Sequence, residues 1–298
     1  MSNGDITLDA LIPPEMAAKA EEIGVKKANM NFTTTFMLSV LAGAFIAAGA
    51  IFMTSLTTGS LAVKLADGTS PSSISLPYGW SRMFGGLGFS LGLILVVVGG
   101  AELFTGNNLI VMAFINRRVR LNQLLRNWLI VYLGNFAGSL LTAGIMFFTR
   151  QYTAGSGAMG LNILTIGEAK TGLEFVQAVA LGMMCNALVC MAVWLTYSAR
   201  TTTDKILAII PPITAFVAAG FEHSVANMYL IPIALFVKSG ADANFFTSIH
   251  KTAADFPHLT WINFLVVNLL PVTLGNIIGG AGMVGVIYWF IYRRKSKS

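Results

Sequence analysis

Apolar residues along this chain fall into six stretches that polar segments separate. A helix needs about 20 residues to cross a hydrocarbon core of about 30 Å, and each stretch reaches that length. The stretches lie near residues 33–57, 83–115, 127–149, 175–198, 206–237 and 261–292. This pattern predicts an all-α membrane protein with six transmembrane helices.

Two of the stretches are too long for one straight helix, and each has a polar interruption. At 1.5 Å per residue, residues 83–115 would extend about 50 Å, well beyond the hydrocarbon core. Their middle holds the run Gly99-Gly-Ala-Glu-Leu-Phe-Thr-Gly-Asn-Asn108, and residues 206–237 hold Gly220-Phe-Glu-His-Ser-Val-Ala-Asn227. Because glycine and asparagine favour loops, we predict that the second and fifth spans are broken.

The sequence also repeats itself across its two halves. The residues that match at the two breaks, at an offset of 120, are Glu102 with Glu222 and Asn107 with Asn227. The third and sixth stretches share the pattern N-x-L-x-V-x-L-G-N, which begins at Asn127 and again at Asn268. The first and fourth match at an offset of 139, through Phe36, Val40 and Gly43 with Phe175, Val179 and Gly182. Three spans is an odd number, so the sequence predicts a 3+3 inverted repeat.

Matching breaks in inverted halves indicate a substrate path near the midplane of the bilayer. Irregular backbone at that depth is tolerated only where protein or a water-filled cavity surrounds it, so the two breaks should face each other across a pore. The N-terminus of a half-helix presents unpaired N–H groups and the positive end of its dipole. The predicted path therefore favours an anion.

Only three charged or imidazole side chains lie inside the six predicted spans, namely Glu102, Glu222 and His223. A buried carboxylate needs hydrogen bonds. We expect backbone N–H groups of the opened helices to supply them, which makes both glutamates structural clamps, with a direct transport role as the alternative. Histidine changes its charge most readily near neutral pH, so His223 is the candidate for chemistry. The alternative is a core histidine with a satisfied hydrogen bond.

Composition and charge support a membrane protein and set its orientation. Hydrophobic residues make up 55% of the 298 and charged residues 11%, with a mean hydropathy of +0.71. Thirteen of the 19 Lys and Arg residues fall on one side of a six-span topology. The remaining six, on or near the other side, are Lys64, Arg82, Arg150, Lys170, Lys238 and Lys251. The positive-inside rule then places both termini in the cytoplasm, so the net charge of +6 reflects topology and not nucleic-acid binding.

Residues 1–28 are polar and contain acidic side chains, which argues against a cleaved signal peptide. Pro13 and Pro14, followed by Glu15, indicate the start of a helix. Apolar residues among charges favour a short amphipathic helix on the cytoplasmic face, and a passive leader is the alternative. Residues 29–298 form the predicted six-helix transmembrane channel domain.

No metal, cofactor or disulfide site is predicted. Cys185 and Cys190 lie five residues apart in one predicted helix, so their side chains point to well-separated faces. His250 and His258 lie outside the apolar stretches and are expected in loops. The sequence has no nucleophile–base pair at catalytic spacing, so we do not expect an enzyme.

Four motifs resemble the formate/nitrite transporter family. They are Gly99-Gly-Ala-Glu-Leu-Phe-Thr105, Asn186-Ala-Leu-Val-Cys-Met-Ala-Val-Trp194, Gly220-Phe-Glu-His-Ser-Val-Ala-Asn-Met228 and Leu274-Gly-Asn-Ile-Ile-Gly279. The similarity covers nearly the whole chain and is nearest to the formate channels of bacteria, through Pro232 and the run Leu-Pro-Val-Thr-Leu-Gly-Asn. Glu102 departs from it, because a formate channel has Asp at this position and a nitrite-type relative has Glu.

The resemblance implies an aquaporin-like fold of six spans, assembled as a homopentamer with one pore in each protomer. His223 would be the central pore histidine, with Thr105 and Asn186 as polar neighbours, and Lys170 would attract anions from the outer vestibule. Apolar constrictions would come from Leu103 and Phe104 on the first break and from Phe89, Leu93, Val189 and Phe216 on the surrounding helices. Ordinary helix packing is the alternative interpretation of these last four.

The implied function is passage of formate and similar small monovalent anions across the bacterial cytoplasmic membrane. We expect His223 to share or donate a proton, so that an anion passes the apolar constriction near neutrality, and residues 1–28 to gate the cytoplasmic mouth at low pH. Nitrite, hydrosulfide, acetate and lactate are alternative substrates. A water or glycerol channel would share the fold, but the breaks carry no Asn-Pro-Ala pair. Ammonium-type channels usually pair two histidines on different spans, and here only one lies at depth.

Overall fold

Helices account for nearly all of the regular structure, and the computed structural model describes residues 10–59, 61–63, 72–74 and 76–294. The helices are α1 (Pro13–Ala28), α2 (Phe32–Leu56), α3 (Tyr78–Gly99), α4 (Phe104–Ile115, with a 3₁₀ turn at Asn108–Ile110), α5 (Leu121–Phe148), α6 (Ala158–Thr171), α7 (Phe175–Ser198), α8 (Thr202–Ala218), α9 (Ser224–Gly240), α10 (Ala243–Ser248) and α11 (Asn263–Tyr292). Single 3₁₀ turns lie at Gln151–Thr153 and Ala253–Asp255. Lys64, Lys295 and Lys297, which belong to the charge pattern, lie outside the described residues.

The all-α class is confirmed, with one short ribbon beside the helices. Strands β1 (Leu61–Val63) and β2 (Ser72–Ile74) pair antiparallel, with Leu61 opposite Ile74. They lie in the polar segment between the first two apolar stretches, where exposed backbone can pair outside a bilayer. The segment is short enough that a hydropathy pattern tuned to membrane spans does not reveal it.

Apolar length predicts most of the long helices correctly. Among the described residues, five helices are long and apolar enough to cross a membrane, namely α2, α3, α5, α7 and α11. Helices α4 and α9 are apolar but shorter. Helix α5 begins at Leu121, earlier than the predicted residue 127, because the side chain of Gln123 caps the turn by accepting the Arg120 N–H at 2.9 Å.

Two overlong apolar stretches are each divided between two helices. Helix α3 ends at Gly99, and residues 100–103 precede α4; α8 ends at Ala218, and residues 219–223 precede α9. A glycine in the left-handed conformation follows each helix end, Gly100 with φ of 78° and Gly220 with φ of 77°. Residues with a Cβ rarely adopt this conformation, so glycine sets the sharp exit of the chain from both helices.

Glycines allow close packing of α5 on α2 and, in the same way, of α11 on α7. A Cβ atom on Gly138 of α5 would overlap the backbone oxygen of Val40 on α2. A Cβ atom on Gly279 of α11 would likewise overlap the backbone oxygen of Met183 on α7. Small residues are what permits such approach between apolar helices, since backbone cannot move aside.

The register predicted between the first and fourth apolar stretches is wrong by about one helical turn. The offset of 139 pairs Val40 with Val179, whereas the glycine contacts pair Val40 with Met183. At the breaks, the N–H groups of the two glutamates donate to Leu38 O at 3.2 Å and to Leu181 O at 3.3 Å, also 143 residues apart. Because an α-helix repeats every 3.6 residues, a slip of four residues presents a similar face.

Helix α1 covers Pro13–Ala28, and its apolar face contacts protein. Met16, Ala17 and Ala20 are buried in one cluster with residues of α4, α7 and α11, including Met112 and Trp194. The apolar side of α1 is therefore turned inward, against the other helices.

Candidate functional site

His223 and Thr105 bring the two divided stretches into contact. His223 is the residue before α9, and its Nδ1 atom accepts the N–H of Ala226 at 3.0 Å. Its Nε2 atom lies 2.9 Å from the hydroxyl oxygen of Thr105, in the first turn of α4. Because Nδ1 accepts, the proton of a neutral ring is on Nε2, which donates to Thr105. Both side chains are buried.

Asn186 of α7 is the third predicted polar residue, and it contacts the threonine and not the histidine. Its Nδ2 atom donates to Thr105 O at 3.3 Å, to Asn108 Oδ1 at 2.8 Å and to Asn276 O at 2.7 Å. One buried amide thus links the first break to α11. The structure brings His223, Thr105 and Asn186 together in a single hydrogen-bonded cluster.

Two cavities lie near this cluster, and different residues line them. The α1 cavity, of about 270 Å³, is lined by residues that include Lys19, Lys27, Leu93, Glu102, Leu103, Asn107, Tyr197 and Lys205. The α6 cavity, of about 410 Å³, is lined by residues that include Tyr78, Arg82, Phe89, Lys170, Phe216, Glu222, His223 and Asn227. Phe89 and Leu93 are one turn apart on α3 yet line different cavities. The two residues are about 6 Å apart along the helix axis.

The predicted apolar constriction divides into two groups. In the α6 cavity the Phe216 ring stacks on His223 with centroids 6.0 Å apart, and Phe89 meets Phe216 edge-on at 5.6 Å. Leu93 and Leu103, both buried, line the α1 cavity. Phe216 and Phe89 thus form an apolar layer beside the histidine, while Leu93 and Leu103 belong to the lining of the other cavity.

Phe104 and Val189 do not line either of these cavities, although both are buried. The Phe104 ring packs edge-on against Tyr132, with centroids 5.0 Å apart, and against Trp128 at 6.1 Å. Phe104 therefore packs against α5 in this structure.

Each break is held by a carboxylate clamp whose donors are side chains, which corrects the expectation of backbone donors. Glu102 lies 2.9 Å from the ammonium of Lys27 and accepts the Asn107 amide at 2.7 Å. The equivalent distances at Glu222 are 2.6 Å and 2.6 Å. The partners there are Lys170, in the last turn of α6, and Asn227. Lys170, predicted as a vestibule cation, is therefore ion-paired.

A pair of asparagines on α5 extends the first clamp. Asn127 accepts the Asn107 amide at 2.9 Å and donates to Lys27 O at 3.1 Å. Asn135 accepts the Phe104 N–H at 2.9 Å and donates to Glu102 O at 2.9 Å. The breaks in the helical backbone are thus satisfied by amide side chains.

The same bonds recur on α11. Asn268 accepts the Asn227 amide at 2.7 Å and donates to Lys170 O at 2.9 Å. Asn276 accepts the Ser224 N–H at 2.9 Å and donates to Glu222 O at 2.9 Å. Sequence reasoning missed these four asparagines and Lys27, although the shared N-x-L-x-V-x-L-G-N pattern contains all four. The four asparagines could have been identified from sequence because their polar amides lie inside predicted membrane spans.

Three lysines from two elements line the α1 cavity, Lys19 and Lys27 of α1 and Lys205 of α8. Lys19 of α1 donates to Tyr197 O at 2.8 Å. Burial lowers the pKa of Lys19, and the positive charges of Lys205 and Arg200 lower it further. Lys27, also in this cavity, is neutralised by Glu102. Among the described residues, no group of three His, Cys, Asp or Glu side chains could hold a metal ion.

Known proteins resemble this chain over nearly its whole length. The family model described as formate/nitrite transporter matches residues 14–290. The formate channel FocA of Escherichia coli (strain K12) is 43% identical over 98% of both chains, and the formate channel BtFdhC of Bacillus thuringiensis is 33% identical over 95% of this chain and 96% of its own. A solved pentameric formate channel with formate bound, 43% identical, superposes with a TM-score of 0.80 over 88% of this chain and 98% of its own.

The fold, the apolar helices and these relatives define an integral membrane transport protein and not an enzyme. The chain belongs to the formate/nitrite transporter family. A second solved structure, an FNT family ion channel 26% identical to this chain, agrees with this assignment at a TM-score of 0.73 over 93% of this chain and 98% of its own.

Proposed function

We propose that this chain is a channel for formate and similar small monovalent anions, working as a homopentamer in the bacterial cytoplasmic membrane. One observation carries the proposal: a hydrogen bond of 2.9 Å joins His223, which lines the α6 cavity, to Thr105, whose chain neighbour Gly106 lines the α1 cavity. The relatives described as formate channels support the substrate, and the pentameric relative with formate bound supports both the substrate and the assembly.

The architecture of the proposed channel is a 3+3 inverted repeat with an aquaporin-like course. Six crossings are made by α2, by α3 with α4, by α5, by α7, by α8 with α9, and by α11. Matching bonds from the Asn135 and Asn276 amides to the two breaks support this duplication. The positive-inside rule places the α1 cavity and both termini in the cytoplasm, and the α6 cavity outside.

The passage of an anion is limited by its dehydration in the apolar layer. An unpaired charge in such surroundings is costly, so donors must replace lost water. Thr105 and the Nε2–H of His223 can each donate to a carboxylate at this point. While Nδ1 accepts the Ala226 N–H, the ring holds one proton. A second proton on Nδ1 releases that N–H, and the ring can then transfer a proton to formate and take one back after its passage.

The test is formate flux into proteoliposomes at two pH values, one on each side of the ordinary histidine pKa of about 6.5. We expect His223→Phe to abolish the pH dependence and to reduce flux at the lower pH. His258→Asn, which alters an exposed histidine, is the matched control and should behave as the unsubstituted protein. If formate flux and its pH dependence were both unchanged in His223→Phe, the proton-relay role would be contradicted.

The substrate needs its own comparison, because Glu102 departs from the pattern of formate channels. Nitrite and hydrosulfide, offered as competitors in the same flux assay, should compete less well than formate itself if formate is the preferred anion. Osmotic swelling of the same vesicles measures water and glycerol passage. Faster swelling without anion flux would instead support a neutral-solute channel.

A further inference from the structure

The α6 cavity has two cationic side chains, and only one of them is neutralised. The Lys170 ammonium lies 2.6 Å from Glu222 Oε1, and its side chain is 16% exposed. Such a pair presents little net charge to an anion in the cavity. The positive charge available to attract anions must therefore come from elsewhere.

Arg82, in the first turns of α3, lines the same cavity. Its Nε atom donates to Ala218 O at 3.4 Å, and its guanidinium lies 5.7 Å from the centroid of the Tyr78 ring. Among the described residues, the ion pairs at 4.0 Å or less do not include Arg82. Neither contact neutralises it, so within that part of the chain its charge faces the cavity unpaired.

Gly220 explains how this guanidinium comes so near the second break. A Cβ atom at Gly220 would lie 2.9 Å from Arg82 Nη2. The missing side chain lets the guanidinium rest against the backbone that leads directly into Glu222 and His223. Arg82 thus stands at the edge of the apolar layer formed by Phe89 and Phe216.

We propose that Arg82 is a docking residue for planar oxyanions in the α6 cavity, used immediately before the apolar layer. This inference rests on the proposed anion channel and names a determinant of its substrate preference. A guanidinium offers parallel N–H groups that match the two oxygens of a carboxylate, whereas an ammonium or a spherical anion cannot use that match. Arg82 should therefore favour formate over hydrosulfide.

The experiment measures formate flux against concentration for Arg82→Gln and Arg82→Lys. We expect Arg82→Gln to raise the half-saturating formate concentration about three- to tenfold, as loss of one partly exposed charge contact would, with the maximal rate nearly unchanged. Arg82→Lys should keep the dependence on ionic strength but lower the preference for formate over hydrosulfide. Arg150→Gln is the matched control, because Arg150 is exposed and paired with Asp242 at 2.7 Å.

A charge-rescue variant distinguishes loss of the charge at position 82 from misfolding of Arg82→Gln. Cys185 and Cys190 are buried, so a charged, membrane-impermeant thiol reagent should modify only the cysteine introduced by Arg82→Cys. Adding an ammonium group there should lower the half-saturating concentration of the same folded sample. Equal values for Arg82→Gln and Arg150→Gln, or no response to the reagent, would overturn the role of Arg82. Failure of the proposed function is distinct, since the unsubstituted protein would then carry no formate.

Discussion

At the scale of single residues, asparagine is the side chain that makes an interrupted helix possible inside this fold. A primary amide has an acceptor oxygen and two donor hydrogens. Asn276 uses them to pair the Ser224 N–H, the Glu222 O and, at 2.8 Å, the Gly182 O. Asn135 makes the equivalent set at the first break. No aliphatic residue of similar size could replace either one.

Asn276→Ala should therefore destabilise the protein strongly. The substitution leaves buried backbone groups of Ser224 and Glu222 without partners, and each unpaired group costs about 1–3 kcal/mol. We expect a clear fall in the apparent melting temperature of detergent-purified protein and a loss of assembled protein in the membrane. Asn263→Ala, which removes one amide bond to His258 O near the surface, is the control. Equal effects of the two substitutions would contradict the role given to Asn276.

The site residues found from sequence are those whose charge is out of place in an apolar stretch. Glu102, Glu222 and His223 stood out for that reason, and Thr105 followed from the family resemblance. Lys27 was missed because it lies far from Glu102 in sequence, and only folding brings its ammonium to within 2.9 Å. A hydropathy pattern carries no information about contacts between distant elements.

At the scale of elements, close packing of α5 on α2 depends on glycine at defined positions. Gly138→Ala would force a Cβ atom into the Val40 carbonyl. Backbone on a packed helix cannot yield cheaply, and overpacking costs roughly 1–3 kcal/mol or more. Gly144→Ala on the same helix meets open space and should be neutral or stabilising. Thermal unfolding in detergent separates the two, and a similar melting temperature for both would argue against tight packing at Gly138.

A buried carboxylate on α1 binds an arginine near the other end of the sequence. Glu21, with no exposed surface, accepts Arg293 Nε at 3.0 Å and Arg293 Nη2 at 3.1 Å. The Asn116 amide donates to the same carboxylate at 2.9 Å. The Arg293 pKa is raised, first by the hydrogen bond to Glu21. If α1 gates the cytoplasmic mouth, this contact holds the gate in place.

Glu21→Gln should loosen α1 without removing it. The neutral amide cannot match the charge of Arg293, so we expect trypsin to cleave within α1 roughly three- to tenfold faster, and formate flux to rise at low pH. Glu22→Gln changes the exposed neighbouring glutamate and should alter neither. Unchanged cleavage in Glu21→Gln would show that other contacts, such as the Lys19 bond to Tyr197 O, suffice to hold the helix.

The sequence predicts those helices whose position is determined by the length of an apolar run. The continuous helices α2, α5, α7 and α11 were predicted because each needs a run of apolar residues. Helix α6 and the β1–β2 ribbon were missed because they lie between those runs. The predicted register between the two halves is wrong by one helical turn because similar helical faces recur about every four residues. Contacts such as that of Gly138 with Val40 are needed to determine it.

At the scale of the whole molecule, one chain leaves a broad apolar surface uncovered. Leu125, Leu129, Leu133 and Leu141 form an exposed stripe along α5, with relative exposures from 50% to 62%. A stripe of this size on a free surface indicates contact with lipid or another protomer. In the proposed pentamer, neighbouring protomers and membrane lipid together cover this leucine stripe.

Mixed pentamers test whether each protomer has its own pore. If the path runs through the His223 site of each chain, co-assembly of unsubstituted and His223→Phe protomers should reduce low-pH flux in proportion to the mutant fraction. An equal mixture would then retain about half of the His223-dependent flux. A single pore on the shared fivefold axis, needing all five histidines, would retain only about 3%. Native mass spectrometry of the purified mixture fixes the composition of the assemblies. A steep loss at equal mixing would contradict independent pores, and an assembly without five chains would contradict the pentamer itself.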